Sequence, residues 1–241
     1  DHTTRGFMKK YVDKVVTYSN DISIFGIPTI KTMNGVDFAS IPMVKNIGTT
    51  DKINLIAVAM LSPWHGYDRV ISGLKEYYSG KSEKKKTVCF HLVGEGKELE
   101  KYKEMVSEYH LSDVVKFYGN QAGESLNKIY EKADIAVSSL GLHRIGLKTA
   151  STLKAREYGA RGLPMVSAHS IDFFPTDSSY VLQIPEDDTP VNIDDVVAFY
   201  QKLIEKESVE EVHSKVREIT RKKADMSVTF EPIKKFYEER I

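Results

Sequence analysis

Short runs of apolar, often β-branched residues recur along the chain, separated by longer stretches in which apolar positions return every three or four residues. The runs at 55–59, 88–93, 114–118, 135–138, 164–167 and 180–183 are almost continuously apolar, the character of strands covered on both faces. The helical rhythm at 67–78, 97–109, 125–132 and 152–160 predicts crossover helices between them. Strand and helix in alternation predict an α/β fold, a Rossmann-like parallel sheet with helices on both faces. From residue 193 the pattern is helical throughout, over 194–205, 209–224 and 230–240, and its charge-rich faces predict helices packed on the flank of the sheet. Before residue 52 the character differs. Residues 12–19 read as a strand, and Phe25-Gly26-Ile27-Pro28 and Asn34-Gly35-Val36-Asp37 supply turn chemistry. These shifts divide the chain into a segment 1–50, a sheet domain 51–225 and a closing helix 226–241.

Composition changes this picture little. With 241 residues, 41% hydrophobic and 28% charged, the chain is an ordinary globular one with room for a real core. Thirty-four basic residues balance thirty-four acidic ones, so no global field favours nucleic acid, and none is expected as a partner. Cys89, the only cysteine, sits between Val88 and Phe90 and is expected to be a buried small hydrophobe. The absence of a disulfide framework suits a reducing compartment, hence a cytoplasmic expectation. No stretch approaches the ~20 apolar residues that a spanning helix requires. The start, Asp1-His2-Thr3-Thr4-Arg5, has neither a methionine nor a signal peptide's apolar core, so the chain is read as an excised piece of a longer protein. Lys84-Lys85-Lys86 reads as a solvated loop. The histidines show no metal-ligand spacing, so no metal and no resident cofactor are expected.

In open parallel sheets ligands bind beyond the carboxyl ends of the strands, where loops and helix amino ends converge. Four loops qualify. The first runs from Leu61 through Trp64, His65, Gly66 and Asp68 to Arg69 and can offer backbone N–H groups to an anion, or serve as a packed, capping turn. The second, Val93-Gly94-Glu95-Gly96-Lys97, has two glycines that let backbone approach a ligand. Leu99 stands where a dinucleotide fingerprint needs its third glycine, so an ordinary strand-to-helix turn remains open. The third is rich in basic residues, with Arg144, Lys148, Thr149, Ser151, Thr152 and Leu153 leading into a helix that carries Lys154 and Glu157. These last two share a face. They either divide a nucleotide diphosphate, Lys154 on phosphate oxygens and Glu157 on the ribose hydroxyls, or form a surface ion pair worth well under 1 kcal/mol. The fourth, Arg161-Gly162-Leu163-Pro164, reads as a helix stop entering a strand.

Together these loops resemble the retaining glycosyltransferases of family 4, whose two-domain GT-B fold holds the donor in its carboxyl-terminal half. The resemblance runs over most of the chain. It rests on Trp64-His65-Gly66-Tyr67-Asp68-Arg69, on Gly94-Glu95-Gly96, and above all on Leu153-Lys154-Ala155-Arg156-Glu157-Tyr158 followed by Gly162-Leu163-Pro164. It implies that 51–225 is the nucleotide-sugar-binding domain, that 1–50 is a remnant of the amino-terminal domain plus linker, and that 226–241 is a crossover helix. The implied donor is a nucleoside diphosphate sugar. The implied partners are the missing acceptor-binding domain and a glycan or membrane-associated, lipid-linked acceptor at the inner face of the plasma membrane. The Trp-His-Gly-Tyr-Asp-Arg and Leu-Lys-x-x-Glu-Tyr variants are similar to those of bacterial capsule and exopolysaccharide enzymes.

Two departures stand out. The family's acidic pair falls at Thr149 and Glu157, so the carboxylate near the donor sugar is replaced. Its basic clamp on the diphosphate falls at Met60 and His65, leaving His65, Arg69, Arg144, Lys148 and Lys154 as local substitutes. Catalysis is then expected to rest on Lys154, Glu157 and His65, with Gly66, Gly94 and Gly96 lining the donor. Two rival readings keep the fold: a nucleotide-sugar epimerase, and a non-catalytic nucleotide-sugar-binding or interaction module. This fragment alone is expected to be inactive.

Overall fold

The computed structural model describes residues 7–46, 51–80, 86–148 and 150–240. Thr149, Lys84 and Lys85 lie outside the described residues. Near the amino terminus β1 (Val15–Thr17), β2 (Ser23–Ile24) and β3 (Ile27–Lys31) form a small sheet in the order β1-β3-β2. The turn between β2 and β3 passes through Phe25 and Gly26 at φ 53° and 72°, the left-handed pair of a type I′ hairpin. Of the strand expected over 12–19, only Val15–Thr17 is in the sheet.

The main sheet starts at β4 (Lys52–Val58) and continues through α1 (Tyr67–Ser79), β5 (Thr87–Val93), α2 (Leu99–Glu108), β6 (Val115–Phe117) and α3 (Gly123–Tyr130). Then follow β7 (Ile135–Val137), α4 (Leu153–Arg161), β8 (Met165–Ser167) and β9 (Val181–Gln183). The six strands lie in the order β6-β5-β4-β7-β8-β9, every pairing parallel. The chain winds outward from β4 in one direction, returns, and winds outward from β7 in the other. The strand order reverses between β4 and β7, which opens a crevice at their carboxyl ends.

Two helical layers cover the sheet, because successive strand residues point to opposite faces. Ile53, Leu55 and Ala57 of β4 enter one core with Tyr67, Val70 and Leu74 of α1 and Tyr102 of α2. Ile56 enters the other with Tyr130 of α3 and Ala155 and Tyr158 of α4. This is why the strands read as continuous apolar runs. α1 is a helix because Tyr67, Val70, Ile71, Leu74 and Tyr77 recur on one face, all of them buried.

The flanking helices are α5 (Ile193–Lys206), α6 (Val209–Ala224) and α7 (Met226–Glu238). α6 packs against α4, and α7 against α6 and β3. α7 begins four residues earlier than its apolar rhythm predicts, because the Asp225 carboxylate caps it by accepting from Ser227 N–H at 2.9 Å. Cys89 is buried, as expected. No helix among the described residues is long and apolar enough to cross a membrane.

Candidate functional site

Two loops leave the sheet where the strand order reverses, 59–66 after β4 and 138–148 after β7. They are laced together by Leu140 N–H to His65 O at 2.9 Å and Gly141 N–H to Trp64 O at 3.2 Å. Each loop contains a 3₁₀ turn, Pro63–His65 and Leu142–Ile145. Gly66 ends the first turn at φ 64° and begins α1; a Cβ there would sit 2.8 Å from Gly141 N and Leu140 C. A side chain at 66 would therefore push the two walls apart.

The basic residues around this crevice fall into two groups. Arg69, with its side chain 1% exposed, donates to Leu140 O at 2.6 Å, Thr189 O at 2.8 Å and Pro185 O at 3.0 Å. Its guanidinium is consumed in pinning the crevice wall to the loop after β9, so it shapes the site rather than lending it charge. Arg144 makes a two-pronged ion pair with Asp68 at 2.9 and 3.1 Å and bonds Asp188 at 2.7 Å. Burial opposes its charge, but these two carboxylates outweigh it and raise its pKa. Arg144 thus carries its own counter-ions. Lys148 is exposed.

Lys154 is different. Its Nζ donates to Tyr67 Oη at 3.2 Å and lies 5.4 Å from that ring's centre. Among the described residues no carboxylate pairs with it, and the surface ion pair with Glu157 does not form. Burial of the ammonium pushes its pKa well down. It lies in the first turn of α4, whose N-cap Thr152 makes no side-chain cap bond and whose first turn holds no acidic residue. The amino end of α4 therefore presents N–H groups and a positive dipole end alongside the ammonium.

His65 stands beside Lys154. It is 9% exposed, and its ring stacks on Tyr67, 5.5 Å between centres and 11° between planes. Burial, with the Lys154 charge in addition, lowers its pKa to about 3. The ring is neutral, and Nδ1 accepts from Ser62 N–H at 3.1 Å, so the ring proton is on Nε2. His65 is a hydrogen-bond donor there rather than an acid.

Glu157 faces the groove between α3 and α4, where Arg161 donates to its Oε1 at 3.1 and 3.0 Å. Ser151 holds the linker, its carbonyl accepting from Asn34 Nδ2 at 2.6 Å. Leu153 is 57% exposed at the start of α4. Gly94 and Gly96 do serve a close approach, to the backbone of the loop after β4. A Cβ on Gly94 would meet Ala59 O at 1.9 Å and one on Gly96 would meet Leu61 O at 2.3 Å. Both glycines thus pack on the first wall of the crevice, and Gly96 remains exposed.

Several polar groups of the crevice lie outside the sequence-derived set. Tyr67 Oη partners Lys154. Tyr158 Oη accepts from Val58 N–H at 2.8 Å, tying α4 to the end of β4. Ser138 Oγ and His169 Nε2, together with Thr152 Oγ1 of the sequence-derived set, are buried without a hydrogen-bond partner at the carboxyl ends of β7 and β8 and the start of α4. Their common signal is position: each falls within a few residues of a strand's carboxyl end or a helix's amino end. A cavity of about 510 Å³ lies elsewhere, between the exit of β9 and α5, lined by Leu182, Pro185, Asp195, Phe199 and Lys202 among others. Of the sequence-derived residues it touches only Arg69.

A parallel sheet in this strand order, with helices on both faces, matches the fold of the Rossmann-like half of GT-B glycosyltransferases. Similar solved structures include a Rickettsia africae glycosyltransferase, at 13% identity and TM-score 0.68 over 99% of this chain and 67% of that one. Anabaena HepE in complex with UDP and glucose follows at 15%, TM-score 0.67, over 99% and 67%. The sucrose-phosphate synthase of Thermosynechococcus elongatus matches at 18%, TM-score 0.69, over 100% and 62%. At such identities the likeness is one of fold, and the chain spans about two thirds of these proteins' lengths. Residues 42–175 match the glycosyl transferases group 1 family, and the chain belongs to that family. No curated protein matches the sequence significantly.

Proposed function

We propose that this chain is the donor-binding part of a retaining glycosyltransferase, holding a nucleoside diphosphate sugar at the reversal point of its sheet. The observation that carries the proposal is Lys154, an enclosed ammonium with a tyrosine hydroxyl for a partner, set at a helix amino end that lacks a side-chain cap bond. A diphosphate matches that arrangement in charge and geometry. Family membership and the UDP named with the Anabaena neighbour support the same reading.

In the proposed reaction the bond from sugar to diphosphate breaks and negative charge grows on the departing phosphate oxygens. Lys154, the His65 Nε2–H and the α4 N–H groups stabilise that charge, and interactions that strengthen as it develops lower the barrier. Glu157 accepts the ribose hydroxyls. Gly66 keeps the walls close, and Lys148 and the segment from Ser151 to Leu153 border the diphosphate. Residues 1–50 belong with an amino-terminal domain that brings a glycan or lipid-linked acceptor, 51–225 hold the donor and 226–241 cross back. The setting we propose is bacterial surface polysaccharide synthesis, in the cytoplasm at the inner membrane face.

A calorimetric and thermal-shift screen of UDP, GDP, ADP and their sugars against this chain tests the reading. One diphosphate is expected to bind, and Lys154→Met to weaken it roughly ten- to a hundredfold, the range for losing a charge-assisted bond. Silence across the whole panel sinks the proposal.

A further inference from the structure

The Glu157 carboxylate is held by an apparatus of its own. Arg161, one turn further along α4, gives it two bonds, Nε and Nη2 to Oε1 at 3.1 and 3.0 Å. The remaining nitrogen, Nη1, donates to Asn127 Oδ1 on α3 at 3.0 Å. The guanidinium plane lies over the Tyr130 ring, 3.8 Å from its centre. The Arg161 side chain is 6% exposed and that of Glu157 29%.

A surface pair at this spacing is loose, because both long side chains keep their rotamers. This one is anchored to a second helix through Asn127 and clamped on an aromatic face. Arg161 therefore has one conformation available, and it selects one for Glu157. An ionised carboxylate offers about four lone-pair positions. The two N–H bonds occupy those of Oε1 and Arg161 makes none to Oε2, while the Tyr130 hydroxyl neighbours the carboxylate without a hydrogen-bond partner of its own. Two acceptor positions remain on one oxygen, matching the two donors of a vicinal diol.

We propose that Arg161 is a positioning residue that clamps Oε1 of Glu157 so that Oε2 is presented to the paired ribose hydroxyls of the nucleotide. The proposal rests on the donor-binding reading of Glu157 given above. It makes Arg161 and Asn127 determinants of ribose recognition without touching the ligand.

The test is calorimetry on this chain with UDP, GDP and ADP, each against its 2′,3′-dideoxy counterpart. The wild-type chain is expected to prefer the ribose form roughly ten- to a hundredfold, and Glu157→Gln to lose most of that preference. Arg161→Lys, which keeps the charge and the stem but loses the fork, is expected to bring the preference to within about threefold. Asn127→Ala lowers it partway. The ratio is the diagnostic readout, since both ligands meet the same folded protein and a merely structural role leaves it unchanged. If Arg161→Lys does not fold, Asn127→Ala carries the test, and a wild-type ratio in it overturns the clamp. An Arg161→Lys chain with the wild-type ratio overturns the Arg161 proposal and leaves donor binding standing. A wild-type chain that binds a diphosphate without preferring ribose removes the role of Glu157 and the clamp with it. A wild-type chain that binds none of the three overturns the parent reading and this one together.

Discussion

Arg69 and Lys154 lie on opposite walls of one crevice, and their surroundings differ in kind. Arg69 is surrounded by acceptors, three backbone carbonyls and the Asp187 carboxylate at 3.4 Å. Lys154 has one phenol oxygen. The first cation is compensated by the protein, and removing it leaves the buried Leu140 carbonyl without the Arg69 donor. The second is left uncompensated, a state that costs stability and becomes favourable when an anion arrives. Charge alone does not mark a ligand-binding residue; an unmet demand for a counter-charge does.

The contrast is open to attack from both ends. Arg69→Ala is expected to destabilise the chain by about 3–5 kcal/mol, a loss of roughly 10 °C in Tm for a protein of this size. If that variant melts like the wild type and has lost nucleotide binding instead, the two residues have been assigned to the wrong groups. Lys154→Met should move the other way, with thermal stability unchanged or raised by about 1–2 kcal/mol as an uncompensated buried ammonium is removed. A pronounced drop in Tm would place Lys154 beside Arg69 as a structural cation.

A third test, of pH dependence, concerns the neutral neighbour of Lys154. The His65 pKa is lowered to about 3, below the ordinary value of 6.5, so the unfolded chain takes up its proton first as pH falls. Its contribution to stability is complete above pH 6.5 and is lost between there and about pH 3, at up to ~1.4 kcal/mol per pH unit. Denaturant titrations from pH 7 to pH 4 are expected to show that slope reduced in His65→Gln. An unchanged slope would mean that His65 is protonated in the native state.

Much of this was legible in the sequence, for a physical reason. Strand runs such as 88–93 and helical faces such as Tyr67, Val70, Ile71 and Leu74 report burial locally, and their alternation leads to the parallel sheet. The neighbourhood of Lys154 and Glu157 follows from their places on one helix. What was not legible depends on distant chain. Leu140 and the 185–189 loop hold Arg69 from 71 to 120 positions away, and nothing near Arg69 announces them. Gly94 and Gly96 carry the same pattern whether backbone or ligand approaches, and their closeness to Ala59 O and Leu61 O is set by the fold. Arg161 is the opposite case: its spacing from Glu157 is visible on the page, but the anchors that stiffen it, Asn127 and Tyr130, are on another helix.

The reversal of strand order also has a kinetic side. β4 is paired along its whole length with β5, from Lys52–Thr87 to Val58–Val93, but with β7 only at Leu55–Ile135 and Ile56–Ala136. The first pairing closes a loop of 35 residues and the second one of 80, so the entropic cost of closure is larger exactly where the reward in backbone bonds is smaller. The block from β4 to β6 can form by local steps, while β7 to β9 must then dock as a unit along that short register. The seam between the two blocks runs beneath Lys154. Native-state hydrogen exchange would find it as a boundary between opening units, with the amide of Asp134, which bonds Asn54 O across the seam at 2.9 Å, exchanging ahead of that of Phe90, which bonds Val114 O within the first block at 2.7 Å.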